Sequence, residues 1–410
     1  MSHRRKPAIR EAVLYNLYEA QHAWLTPYRY LAEMQRGWFA NPFMPWAQAP
    51  LAKQLAASND VFLRITQRYE KPAWRIEGAD LEVALDKPFC RLLHFTPRAP
   101  RAAGLPKVLV VAPLSGHHAT LLRDTVRALL PEHDVWITDW VDARMVPLAA
   151  GPFHLADYVD YVREFIGLLS PELNVISVCQ PTVPVLCAIA LLAEDKAAPQ
   201  PKTMVMMGGP IDARKSPTAV NNLAMQRPYS WFERNVIQRV PNKYPGYMRR
   251  VYPGFLQHMG FVAMNPDRHV NAHWDYFNHL VEGDDDSADR HREFYDEYNA
   301  VIDLPAEYYL DTVKSVFQDF ALPKGRLFIR ERLVRPQRIR DTALLTIEGE
   351  LDDISGNGQT EAAHLLCLSI PRERREHFLA PGTGHYGIFA GRRWRDAIYP
   401  KVRDFMRKHA

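Results

Sequence analysis

Hydrophobic positions in the first part of the chain recur at helical spacing. Leu14, Leu17, Tyr18, Trp24, Leu25, Tyr28, Leu31, Met34 and Trp38 fall within residues 10–45, a pattern that predicts one or two amphipathic helices rich in aromatics. Pro42, Pro45 and Pro50 then break the period, and a second helical stretch follows to about Tyr69. Beyond it the period changes from helical to alternating. Leu81-Glu82-Val83-Ala84-Leu85 reads as a strand, and a strand pair is expected around residues 76–96.

Pro97, Pro100, Gly104 and Pro106 form a loop that opens into Val108-Leu109-Val110-Val111-Ala112, a run apolar on both faces, as in buried parallel sheets. Helices at about 120–130 and 153–169 alternate with strands at 135–138 and 173–178. A helix to about Glu194 and the strand 203–207 continue the βαβ order. From Gly208 to about Lys324 the alternation is lost among aromatic-rich helical segments broken by Pro228, Pro241, Pro245, Pro253, Pro266 and Pro305. It returns with a buried-type strand at 342–347, a helical segment at 363–369, a short strand at 377–379 and an amphipathic helix from Trp394 to Lys408. The expected architecture is an α/β-hydrolase fold with a mainly helical inserted cap and an N-terminal helical extension. The expected boundaries are 1–75 for the extension, 76–209 for the first half of the core, 210–324 for the cap and 325–410 for the second half of the core.

The strand into Cys179 changes what this architecture implies. In Ser177-Val178-Cys179-Gln180-Pro181 an apolar strand stops at a small nucleophilic residue and a helix begins. This is the strand–turn–helix elbow that presents an attacking side chain at a helix N-terminus. Ser177 is small, as the position two before a nucleophile requires; Pro181 stands where a glycine is usual. A thiol must lose its proton to attack, which calls for a histidine within reach. His385 in Gly382-Thr383-Gly384-His385-Tyr386-Gly387 follows the last strand and is the candidate. The acid that orients it is expected after strand 342–347, where Asp352 is preferred and Asp353 is the alternative. The order Cys179, Asp352, His385 is the one this fold imposes. Backbone amides of Gln180, Leu114 and Ser115 are candidates for an oxyanion hole, the latter two from the loop Pro113-Leu114-Ser115-Gly116-His117.

Composition limits the remaining possibilities. The chain is 47% hydrophobic and 24% charged, with a formal net charge of +4, so no extended basic footprint argues for nucleic acid as a main partner. No apolar stretch is long enough to span a bilayer, and the basic start, Met1 to Lys6, is not followed by a signal-type apolar run, so a cytoplasmic protein is expected. Cys90, Cys179, Cys187 and Cys367 form neither a zinc pattern nor a disulfide framework. His117 and His118 have no partner at metal-motif spacing. Asp284-Asp285-Asp286-Ser287 reads as a helix cap, and the arginines between Arg326 and Arg340 as a solvated face.

Five segments together carry a resemblance. They are Val110 to His117, Ile137 to Arg144, Ser177 to Pro181, Glu348 to Gly356, and Gly382 to Gly387. On these the chain resembles the intracellular polyhydroxybutyrate depolymerases, cysteine-type relatives of the polyhydroxyalkanoate synthases, whose elbow is Gly-x-Cys-x-Gly. The resemblance implies hydrolysis of amorphous poly[(R)-3-hydroxybutyrate] to oligomers and monomer, a polyester granule as partner, and no metal or organic cofactor. A synthase-like acyltransferase and a granule-coating protein with a vestigial triad are the alternatives. The aromatics of 228–298, such as Tyr229, Trp231, Tyr252 and Trp274, are expected mainly to pack the cap, with a polymer groove as the second reading.

Overall fold

The computed structural model describes residues 5–98, 104–195 and 198–410, with side chains of the first helix from Val13 onward. Met1 to Arg4 of the basic start and Pro100 lie outside the described residues. Two helices open the chain, α1 (Arg5–Phe39) and α2 (Pro50–Thr66). They lie against each other through Arg29, which donates to the Leu63 carbonyl at 2.6 Å and to Thr66 Oγ1 at 2.9 Å.

The run of short apolar segments becomes one sheet of eight strands. These are β1 (Ala79–Asp86), β2 (Cys90–Pro97), β3 (Lys107–Val111), β4 (Asp134–Trp140), β5 (Leu173–Val178), β6 (Thr203–Met207), and, after the insertion, β12 (Ala343–Gly349) and β13 (Arg375–Ala380). Their order is β1-β2-β4-β3-β5-β6-β12-β13. Pairings are parallel from β4 to β13, and antiparallel only where β2 meets β1 and β4. This is the α/β-hydrolase sheet. Every residue of β5, β6 and β12 is buried, as their unbroken apolar runs require when helices cover both faces. Those helices include α3 (Arg123–Leu129), α4 (Leu155–Leu169) and α5 (Thr182–Glu194), with Tyr399–Lys408 closing the chain.

Between β6 and β12 the expectation of a mainly helical segment is incomplete. Helices α6 (Ala219–Gln226), α7 (Tyr229–Asn235), α8 (Gly254–Met264), α9 (Pro266–Glu282), α10 (Asp285–Tyr298) and α11 (Ala306–Thr312) are joined by a three-stranded sheet. That sheet consists of β7 (Gln238–Arg239), β8 (Arg250–Tyr252) and β9 (Leu304–Pro305). Strands of two or three residues are too short to leave an alternating signature. A hairpin of β10 (Phe328–Ile329) and β11 (Arg332–Leu333) follows. The arginines around it are not merely a solvated face. Arg330 pairs with Asp157 and Asp160 of α4, and Arg332 with Glu194 and Asp195 at the end of α5. The helical segment expected at 363–369 is a single turn, Ala363–Leu366. Asp284 accepts from the Ser287 N–H at 3.1 Å and caps α10 as expected.

A buried polar cluster ties α1, β4 and the insertion together. Tyr15 donates to Asp303 Oδ2 at 2.7 Å, the Gly254 N–H to Asp303 Oδ1 at 2.8 Å, and the Asp303 N–H to Asp142 Oδ1 at 3.2 Å. Arg144 closes the cluster on Asp142 at 2.9 Å. Burial, then the neighbouring Asp303, push Asp142 up to about 7. The segment Asp142-Ala143-Arg144, one of the five motifs, therefore serves a joint between elements. Tyr15→Phe is expected to lower unfolding free energy by about 1–2 kcal/mol, because it removes a buried partner from a carboxyl group. Chemical denaturation would read the change, and an unchanged midpoint would contradict the role given to this joint.

Candidate functional site

Cys179 is the first residue after β5. Its N–H donates to the Met207 carbonyl at 2.7 Å, so the ladder with β6 holds it in place. Its φ is +67°, a left-handed conformation that a non-glycine residue adopts at a strained turn. Thr182 and Val183 N–H groups return to the carbonyls of Cys179 and Gln180, and α5 begins at once. Pro181 sits just before the first helical residue at φ −56°, ψ −17°, a conformation the pyrrolidine ring favours.

The close approach usually met by a glycine at position 181 is met from the adjoining strand. A Cβ on Gly209 would lie 1.9 Å from Thr182 Oγ1 and 2.4 Å from the Cys179 carbonyl oxygen. Gly208, at φ +57°, has no more room. A Cβ there would meet Ile388 at 2.6 Å, the His385 ring at 3.3 Å and Asp352 Oδ2 at 3.4 Å. Both glycines follow β6, and sequence reasoning about the elbow passed over them. The pair Gly-Gly at the carboxyl end of a buried strand was the available signal.

His385 and Asp352 converge on Cys179. Asp352 Oδ2 lies 2.7 Å from His385 Nδ1, with both side chains buried. The other carboxylate oxygen accepts from the N–H groups of Ile354 and Ser355 at 2.9 and 2.8 Å. Asp353 lines the cavity beside His385 and accepts from Asn265 at 3.1 Å, whereas Asp352 is the carboxylate hydrogen-bonded to the imidazole. The loops that carry the two residues are bonded to each other, Leu351 N–H to the Thr383 carbonyl and Glu350 N–H to that of Ala380. Beneath them the buried Glu348 carboxylate takes N–H groups from Gly358, Thr360 and Glu361, and the Thr360 hydroxyl clasps Gly209. Glu348 and Thr360 are positioning groups that their sequence neighbourhood does not reveal.

Burial opposes a charged His385, but Cys179, hydrogen-bonded to its side chain, and Asp352 outweigh it and hold the imidazole well above its usual value. Nδ1 faces Asp352, so Nε2 is left for the sulfur.

Leu114 is buried and Ser115 half-buried in the loop after β3. Among the described residues, none accepts a hydrogen bond from the backbone N–H of Leu114, Ser115 or Gln180. The Gln180 side chain is buried, and neither of its amide atoms has a partner. The 113–117 loop reaches the His385 surroundings through His117, whose ring lies 6.5 Å from that of Tyr386. His117 is a packing residue, its Nε2 3.1 Å from the Tyr298 carbonyl and its ring stacked on Phe261, and burial pushes it down to about 4.

A cavity of about 330 Å³ opens against His385. Phe261, Met264, Arg268, Phe294, Tyr298 and Tyr386 form much of its wall. Of the aromatics of 228–298, Phe261, Phe294 and Tyr298 reach that wall, whereas Tyr229, Trp231, Tyr252 and Trp274 do not line it. Elsewhere Glu348, Glu361 and His377 bring ligand-type atoms within 4.8 Å of one another, but the Glu348 oxygens already hold three backbone N–H groups.

Residues 208–410 match the family described as PHB de-polymerase C-terminus. Over these residues the chain belongs to the PHB depolymerase family. The match supports a hydrolase and, coarsely, ester hydrolysis. The search of curated proteins returns no match. Among solved structures, a monoacylglycerol lipase of Paleococcus ferrophilus is 11% identical, covering 75% of this chain and 97% of that chain at a TM-score of 0.44. A thermophilic esterase of Thermogutta terrifontis is 13% identical, covering 78% and 95% at 0.40. The 2-hydroxy-6-oxo-6-phenylhexa-2,4-dienoate hydrolase of Rhodococcus sp. strain RHA1 is 11% identical, covering 80% and 99% at 0.43.

Gly209→Ala is expected to disrupt the elbow, since the Cys179 carbonyl is backbone and cannot swing aside. A thermal midpoint and an ester turnover both equal to those of the parent would refute this. The raised His385 value has a definite sign. Its contribution to stability is complete below the unfolded value of about 6.5 and is lost as pH rises through the higher folded one. Denaturation midpoints of the parent and His385→Gln should therefore converge as pH rises above about 6.5 through the higher folded value; a gap that widens with pH would show the opposite sign.

Proposed function

We propose that the chain hydrolyses amorphous poly[(R)-3-hydroxybutyrate] to short oligomers and monomer through a thioester on Cys179. The observation that carries this reading is a cysteine held left-handed at the end of β5 and hydrogen-bonded to a histidine that Asp352 fixes at 2.7 Å. In the first step His385 takes the thiol proton as sulfur attacks the ester carbonyl carbon. The tetrahedral oxyanion is met by the free amides of Gln180 and of Leu114 or Ser115. The C–O bond then breaks, the departing alkoxide takes the proton from His385, and a 3-hydroxyacyl thioester remains. His385 next deprotonates water, which attacks the thioester, releases the acid and returns the thiol. Asp352 keeps the imidazole in the tautomer that both steps need and stabilises its charged form.

In this reading residues 210–324 are a cap whose aromatic inner wall receives the polyester beside His385. The partner is the polyester granule in the cytoplasm. No metal or organic cofactor takes part in any step. Water rather than a hydroxyl is the final acceptor, in keeping with the family and with Pro181 in place of the glycine that synthase elbows carry.

Cys179→Ala is expected to reduce release of 3-hydroxybutyrate from amorphous polymer at least about a thousandfold while leaving the fold intact. Undiminished release by a folded variant would sink the assignment. Polymerisation of 3-hydroxybutyryl-CoA with loss of CoA by the parent would replace hydrolysis with synthesis.

A further inference from the structure

The helix α1 is amphipathic in the inverted sense. Of its described charged side chains, Arg29 reaches α2, Arg36 pairs with Asp60 at 2.9 Å and Glu19 with Arg68, Lys243 and Tyr244, which leaves Glu33 outward. Its apolar side chains turn out. Nineteen residues between 13 and 40 are exposed, and Glu33 is the only charged one among them. Trp24 is 66% exposed and Tyr30 69%, and Leu17, Leu31, Met34 and Trp38 each exceed half. Beyond the helix the face continues through Phe43, at 92%, and Trp46, which stacks on Trp38. An aromatic side chain carries about 150–250 Å², which brings this face to on the order of 1,000 Å². The largest apolar patch on a typical monomer is roughly 300–600 Å².

Apart from Glu33, the described polar groups of this face are uncharged. Indole N–H groups of Trp24 and Trp38, hydroxyls of Tyr28 and Tyr30, and side-chain amides of Gln21 and Gln35 can all donate. Carboxylates are missing apart from Glu33, which is 3.5 Å from Arg36. Among the described residues no unpaired Lys or Arg stands on this face to meet an anionic lipid headgroup; Arg36, its side chain 40% exposed, is held by Asp60 and Glu33. A pairing helix is also poorly matched. Pro27 lies inside α1 on this side, where it removes an N–H and bends the helix. The uncharged arc is also wider than the stripe a coiled coil covers. An aliphatic polyester surface, by contrast, is uncharged and offers ester oxygens that only accept.

We propose that the outer face of α1, continued by Phe43 and Trp46, is the surface by which the chain adsorbs to its polyester, separate from the cavity at His385. The proposal rests on the reading of the chain as a polyester hydrolase. It adds that contact with the bulk polymer and turnover at Cys179 are borne by different parts of the molecule.

The test uses the full chain carrying Cys179→Ala, so that the polymer is not consumed, and amorphous poly(3-hydroxybutyrate) particles. Trp24→Glu with Leu31→Glu should lower the bound fraction at sedimentation by at least about tenfold. On the Cys179 background, the same pair should leave kcat/KM for a soluble trimer of 3-hydroxybutyrate unchanged. Equal binding by the double variant would overturn the proposal. So would preferential binding of the parent to phosphatidylglycerol vesicles, or self-association at sedimentation equilibrium that the double variant abolishes. Loss of particle binding in a chain that never cleaves the trimer would uphold the adsorbing face and sink the hydrolase reading alone.

Discussion

The site depends on one backbone constraint. Cys179 must leave β5 in the left-handed region while its N–H stays bonded to Met207, and this is possible only because no side chain rises from Gly209 beneath it. Everything reactive is placed relative to that turn. The Gln180 N–H is left without an acceptor among the described residues, and α5 starts at Thr182, its first N–H groups turned back to the Cys179 and Gln180 carbonyls. Gly208 then lets Asp352 and His385 close in from β12 and the loop after β13.

Sheet and site were legible in the sequence to different depths. Strands such as Val108 to Ala112 and Thr203 to Met207 declared themselves because a strand covered on both faces is continuously apolar. Cys179 stood out because it ends such a strand, and His385 because it lies among glycines in the loop after the last strand. The choice between Asp352 and Asp353 was different, since adjacent carboxylates on a turn are indistinguishable until the loop's path is known. The supporting role of Gly208 and Gly209 was hidden for a related reason. Their importance comes from Thr182, Ile388 and Asp352, which reach them only through the fold. Which aromatics of 228–298 would line the cavity was not legible, because aromatic density reports burial in general, not which side of a helix faces His385.

Charge in this protein works mostly as internal fastening. Arg330 and Arg332 hold the β10–β11 hairpin onto α4 and α5. Asp142, Arg144, Asp303 and Tyr15 join three parts of the chain in one buried cluster. Such groups cost desolvation wherever they are not fully satisfied, so they fix how elements meet more than they add stability. The outward apolar face of α1 is the complement of this arrangement, because the helix spends its charged side chains on inner contacts.

The loop bearing Leu114 and Ser115 is fastened at its far end to the segment that precedes β9. Ile302 donates to the Gly116 carbonyl at 2.7 Å, and His117 forms a bridge with Val301. The same stretch carries Asp303, and through it Tyr15 of α1. A chain of direct bonds therefore runs from α1 to the loop that carries Leu114 and Ser115. Residues 301–303 are the shared joint, so a displacement there is felt at both ends at once.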